Sequence, residues 1–143
     1  MPYLYIITTL LAFLVAQLTK FLIPSNNLKW HWKKIFAYSG MPSSHAAASV
    51  ALSIIIGLQI SFSSPLFAMM LFFTILIMRD AVGVRRYIGA QGEVINDLVK
   101  NLGDDQYLNQ NYPKMKERVG HTKKQLLVGA LIGLVVALIM NYF

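Results

Sequence analysis

Four stretches of the chain are almost free of charged and strongly polar residues: 2–24, 46–62, 65–78 and 125–143. A helix that crosses a bilayer needs about 20 apolar residues, with a working range of about 17–25. The first and last stretches meet that length outright, and the second sits at its lower limit. The third reaches it by continuing helically through Arg79 and Asp80. The pattern therefore predicts an all-α integral membrane bundle of about four transmembrane helices, over 2–24, 44–62, 65–88 and 122–142, in one domain spanning 1–143. Loops at 25–43 and 89–121 connect them on one side. Within the second loop, Val94, Ile95, Leu98 and Leu102 recur at helical spacing and predict a short cytoplasmic or interfacial helix over 93–102. Gly89 and Gly92 read as breakers before it, and 103–112, rich in Asp, Asn and Gln, reads as loop. Thr122 is placed to cap the last helix. Gly129 and Gly133 follow at the small-xxx-small spacing of closely packed helices, within the chain or between copies in a homo-oligomer. The first stretch does not read as a signal peptide, since no Lys or Arg precedes it and its apolar run is too long.

Composition supports lipid as the solvent. Of 143 residues, 56% are hydrophobic and 13% charged, against about 25% charged in ordinary soluble domains. There is no cysteine, hence neither a disulfide framework nor a thiolate metal site. The net charge of +7 is distributed with a clear bias: all 13 Lys and Arg residues fall in the two loops or in the helix ends that face them. Loops rich in Lys and Arg stay in the cytoplasm, so the expected protein is a multi-pass plasma-membrane protein with both termini outside. Trp30 and Trp32, interleaved with His31, Lys33 and Lys34, fit an interfacial belt. The nearest polyanion for these charges is the headgroup layer. Nucleic acid is not an expected partner, because no recognition motif accompanies the charge.

Chemistry-bearing residues gather on the basic side. Ser43, Ser44 and His45 stand at the start of the second helix, and His121 at the start of the fourth. Helix N-termini present unpaired N–H groups and a positive dipole end to an anion. Arg85 and Arg86 add planar donors suited to phosphate oxygens. Each has a plainer use: the serines as caps, the histidines as interfacial side chains, the arginines as topology charges. Three histidines without helical pair spacing give no metal ligand set.

The blocks GMPSSHAA, RDAVGVRRYIGAQG and VGHTKKQLLVGALIG resemble the divergent branch of the type 2 phosphatidic acid phosphatase superfamily, related to acid phosphatases and vanadium-dependent haloperoxidases. The likeness runs from Lys20 to Gly133. It implies phosphomonoester hydrolysis in two steps without a cofactor. His121 would attack phosphorus and form a phosphohistidine, and His45 would protonate the departing alkoxide. Ser43 and the amides near Ser44 would hold phosphoryl oxygens, opposed by Lys20 and by an arginine among Arg85, Arg86 and Arg118. The substrate implied is a lipid phosphomonoester.

The chain departs from the superfamily pattern at three points. The acidic residue expected four positions after the nucleophilic His is Gln125, so orientation of His121 falls to that amide or to a carboxylate such as Asp80, Asp104, Asp105 or Glu117. The first block, Lys-x6-Arg-Pro, keeps Lys20 but has Asn27 and Leu28. The arginine expected six residues before the second His is Met115, with Arg118 nearby. These departures support an alternative of a different class, a catalytically silent protein that binds phosphate or lipid headgroups. A transporter subunit has no charged residue mid-helix to support it.

Overall fold

The computed structural model describes residues 2–24, 40–101, 114–117 and 119–143. Within them the protein is all-helical: α1 (Pro2–Leu22), α2 (Ser44–Gln59), α3 (Pro65–Val82), α4 (Val84–Asn101) and α5 (Lys123–Met140). The expected Trp30 and Trp32 belt, the loop at 103–112 and Arg118 lie outside the described residues.

α1, α5 and the α3 region are long and apolar enough to cross a membrane. α2 has 16 residues, about 24 Å at 1.5 Å per residue, against a hydrocarbon core of about 30 Å. It is the innermost element, packed against α1, α3 and α5, and its small residues Ala46, Ala47 and Ala51 are fully buried. Large apolar side chains point the other way. Leu10, Leu14, Phe72, Ile75, Leu127 and Leu131 are among those more than half exposed, an arrangement stable only where the surroundings are themselves apolar.

Helix ends follow local chemistry. Pro24 ends the helical run of α1 early, since the residue before a proline is disfavoured in the α region. Ser43 caps α2 by accepting from the Ala46 N–H at 3.4 Å. Ser64 and Pro65 start α3 in the same way, with Phe67 N–H donating to Ser64 Oγ at 3.1 Å. Thr122 caps α5, as its position predicts.

Two expectations are corrected. The third helix was expected to run to 88, but α3 stops at Val82, and Gly83 breaks the direction before α4 begins. The expected 89–121 loop accordingly starts later, because α4 is one continuous 18-residue helix through Gly89 and Gly92. These glycines are not breakers. A Cβ on Gly89 would lie 2.5 Å from the Glu117 carbonyl oxygen, and one on Gly92 3.0 Å from that of Lys116. They let the main chain of Lys116, Glu117 and Val119 lie directly on α4. Asn96 fastens it there, donating to the Met115 carbonyl at 3.0 Å and accepting from the Met115 N–H at 2.9 Å. On another face, α4 leaves Val84, Tyr87, Ile88, Val94, Ile95 and Leu98 exposed, the amphipathic stripe of an interfacial helix.

The tightest seam is α2 on α5. A Cβ on Gly129 would stand 2.2 Å from the Ser43 carbonyl oxygen, and one on Gly133 2.2 Å from that of Ala47. The glycine face that also suited pairing between copies is thus filled by α2 of the same chain. α3 is held more loosely, through a hydroxyl bridge. Ser53 Oγ and Thr74 Oγ1 lie 2.8 Å apart, and the Ser49 carbonyl is 3.0 and 3.1 Å from them, so one hydroxyl donates to the other, which donates to the carbonyl.

Candidate active site at the basic end of the bundle

The two histidine-bearing helix starts are joined by main chain. Ser43 N–H donates to the Gln125 carbonyl oxygen at 3.0 Å, so α2 begins about one turn deeper than α5. That hydrogen bond and the Gly129 contact bring the Ser43–His45 segment beneath the loop that carries His121. The loop is anchored from a third direction, by His121 N–H donating to the Ala81 carbonyl at 2.9 Å. Gly120 makes the approach possible. Its φ of +90° lies in the left-handed region, and a Cβ there would sit 2.9 Å from Ala81 O.

His121 itself is 4% exposed, and neither of its ring nitrogens has a hydrogen-bond partner among the described residues. A buried imidazole in this state costs on the order of 1–3 kcal/mol, which a ligand accepting from or donating to the ring would recover. Burial first, then the positive charges of Lys20, His45 and Arg85, pushes the His121 pKa down to about 4. The ring is therefore neutral near pH 7. The charges that act on it come from three helices: Lys20, 2% exposed in the last turn of α1, His45 from the first turn of α2, and Arg85 from the first turn of α4. Ser43 and Ser44 are also buried. His45 is exposed, its ring edge-on to Phe13 with centroids 6.1 Å apart, so it occupies the mouth while His121 occupies the floor.

The remaining expected residues are placed as follows. Arg85 Nε donates to Asp80 Oδ2 at 2.6 Å, with side chains 44% and 42% exposed, leaving its other guanidinium N–H groups available. Arg86 lies exposed on α4, where its Cγ borders Gly120. Gln125 and Asp80 do not orient His121. The Gln125 side-chain oxygen accepts from Thr122 N–H at 2.9 Å while Gln125 N–H donates to Thr122 Oγ1 at 3.3 Å, a complete capping box. The helix terminus has taken the group that four-residue spacing had offered to the ring. Asp80 is committed to Arg85. The residues sequence reasoning passed over are the Ala81 carbonyl, which carries no side-chain signal, and Gln17. The latter is 4% exposed one turn before Lys20, and an amide inside an apolar run was the available clue.

A family described as "Divergent PAP2 family" matches residues 3–136. The chain belongs to that family. It is also 34% identical, over 96% of its own length and 94% of the relative's, to the uncharacterized membrane protein YuiD of Bacillus subtilis (strain 168). No solved structure matches. Among the divergent PAP2 proteins, then, this chain is a helical membrane protein with buried histidine, lysine and serine at one end of its bundle.

Proposed function

We propose that the protein is a membrane lipid phosphatase acting on a lipid phosphomonoester of the phosphatidylglycerophosphate, phosphatidate or polyprenyl phosphate type. The observation that carries the reading is the buried, neutral His121 ring with two unpartnered nitrogens among cationic side chains. Phosphoryl transfer asks for an aligned nucleophile and cationic donors around the equatorial oxygens. In the first step a His121 ring nitrogen bonds to phosphorus as the phosphorus–oxygen bond to the lipid breaks. His45, at the mouth, gives its proton to the departing alkoxide. In the second, water attacks the phosphohistidine, His45 takes the water's proton, and inorganic phosphate leaves with His121 restored. Lys20, Arg85, Arg86, Arg118, the Ser43 hydroxyl and the amides near Ser44 hold the phosphoryl oxygens. The basic face is cytoplasmic, the termini are outside, and the membrane is the plasma membrane.

Phosphate release by the purified protein from a panel of such lipids tests this, with His121→Ala and His45→Ala alongside. Release that is inhibited by vanadate and falls to background in His121→Ala supports the assignment. Full activity in His121→Ala refutes it. A second reading is favoured by one observation: among the described residues nothing orients the His121 ring. In that reading the site binds a phosphate headgroup without turning it over, and saturable headgroup binding with no release across the panel identifies it.

A further inference from the structure

A cavity opens between α3 and α5 at the end of the bundle that carries Lys123. It has a volume of about 470 Å³ and is lined by Ile75, Met78 and Val82 of α3 and Leu126 of α5, with Arg79 and Lys123 at its rim. Its floor is closed by Met78 and Val82 packed on Ala46, Ala81 and Leu126. Arg79 stands in the last turn of α3 and Lys123 is the first residue of α5, so both cations sit at one membrane border above an apolar slot.

What sets these two cations apart is their place over the slot, where no described carboxylate neutralises them. Arg85 is paired with Asp80 and Lys114 with Glu117, whereas Arg79 and Lys123 form no ion pair or side-chain hydrogen bond with any described residue. Two uncompensated cations over an apolar crevice between membrane helices complement one molecule, a lipid with an anionic headgroup. Zwitterionic lipid would supply the chain but not the net charge.

We propose that this crevice is a binding site for an anionic phospholipid, its phosphate held between Arg79 and Lys123 and one acyl chain lying along Ile75, Met78 and Leu126. The site is independent of the phosphatase reading.

Native mass spectrometry of the purified full-length protein, delipidated and titrated with phosphatidylglycerol or phosphatidylcholine, tests it. One phosphatidylglycerol is retained per chain and phosphatidylcholine is not. Arg79→Gln and Lys123→Gln each weaken retention about fivefold, and together roughly 25-fold, the effect of about 1 kcal/mol per basic group at an anionic surface. Ile75→Trp, which fills the slot and leaves both cations in place, weakens it more than about tenfold. Lys100→Gln, at the far end of α4, changes it less than about twofold. Equal retention of the two lipids overturns the proposal, as does an equal loss in Lys100→Gln, which would mean diffuse attraction. Unchanged binding in Ile75→Trp, or retention of soluble glycerol phosphate as tight as that of the lipid, removes the acyl-chain slot. Variants that change only self-association assign the crevice to a second copy and overturn it too.

Discussion

Replacing Gly129 by alanine adds a single methyl group at the point where α5 meets the start of α2. That methyl would lie 2.2 Å from the Ser43 carbonyl oxygen, 3.1 Å from its carbon and 3.2 Å from its nitrogen. All three are main-chain atoms, so no side chain can rotate aside. An ordinary carbon–oxygen contact needs about 3.3–3.6 Å, and the helices must therefore separate by at least about 1.1 Å. The Ser43 N–H to Gln125 O hydrogen bond, now 3.0 Å, is stretched out of range, and His45 moves away from His121. The stability change is the sum of opposed effects: overpacking costs about 1–3 kcal/mol, while alanine in place of glycine within a helix gains about 1 kcal/mol. A net loss of about 0–2 kcal/mol is expected in thermal unfolding of the detergent-solubilised protein. Activity is the sharper reading, because a displacement of about 1 Å between reacting groups costs about 10²-fold. Phosphate release from lipid substrate should fall about a hundredfold. Gly57→Ala is the control, since the atoms nearest its methyl belong to the Phe62 ring, a side chain that can turn; it should stay within about twofold in rate. Wild-type stability and turnover in Gly129→Ala would refute the close α2–α5 seam.

Three further outcomes are expected. His121 is held neutral in the folded protein, with its pKa at about 4, whereas the unfolded chain takes up a proton near 6.5. Its contribution to stability is thus complete above about pH 6.5 and declines by on the order of 3 kcal/mol as pH falls towards 4; unfolding measured across that range should show the loss, and His121→Ala should flatten it. Gln125→Glu preserves the capping box and favours the α5 dipole, so stability should rise by about 0.3–1 kcal/mol without an increase in phosphate release; a large increase would mean that the side chain does reach the ring. Thr74→Val breaks the hydroxyl bridge to Ser53 and Ser49 and should cost about 0.6 kcal/mol, at most about 1.7, read from unfolding against wild type.

Apolar runs revealed the spanning elements because lipid imposes a long, nearly charge-free stretch on any helix that crosses it. The cap at Thr122 and the Gly129–Gly133 seam were equally readable, each being a local rule with one residue type behind it. Gly83, Gly89 and Gly92 were not. The first breaks a helix and the other two permit a neighbouring main chain to lie against one, and nothing in the residue type separates these uses. Gln125 misled for a related reason: its spacing from His121 and its spacing from Thr122 compete for the same amide oxygen, and the backbone N–H won. The histidines and the serine block were recognisable, but the carbonyl of Ala81 that positions His121 has no signature in sequence at all.

The hydrogen bond from the His121 amide to Ala81 ties the loop before α5 to the inner end of α3. α2 and α5 touch main chain to main chain and cannot slide without collision, whereas α3 meets them through side chains, the Ser53–Thr74 hydroxyls and the Met78 and Val82 contacts. Any breathing of α3 in the bilayer therefore pulls on the peptide that holds the buried imidazole. Membrane thickness and lateral pressure, which act on α3 from outside, reach the His121 peptide through that bond.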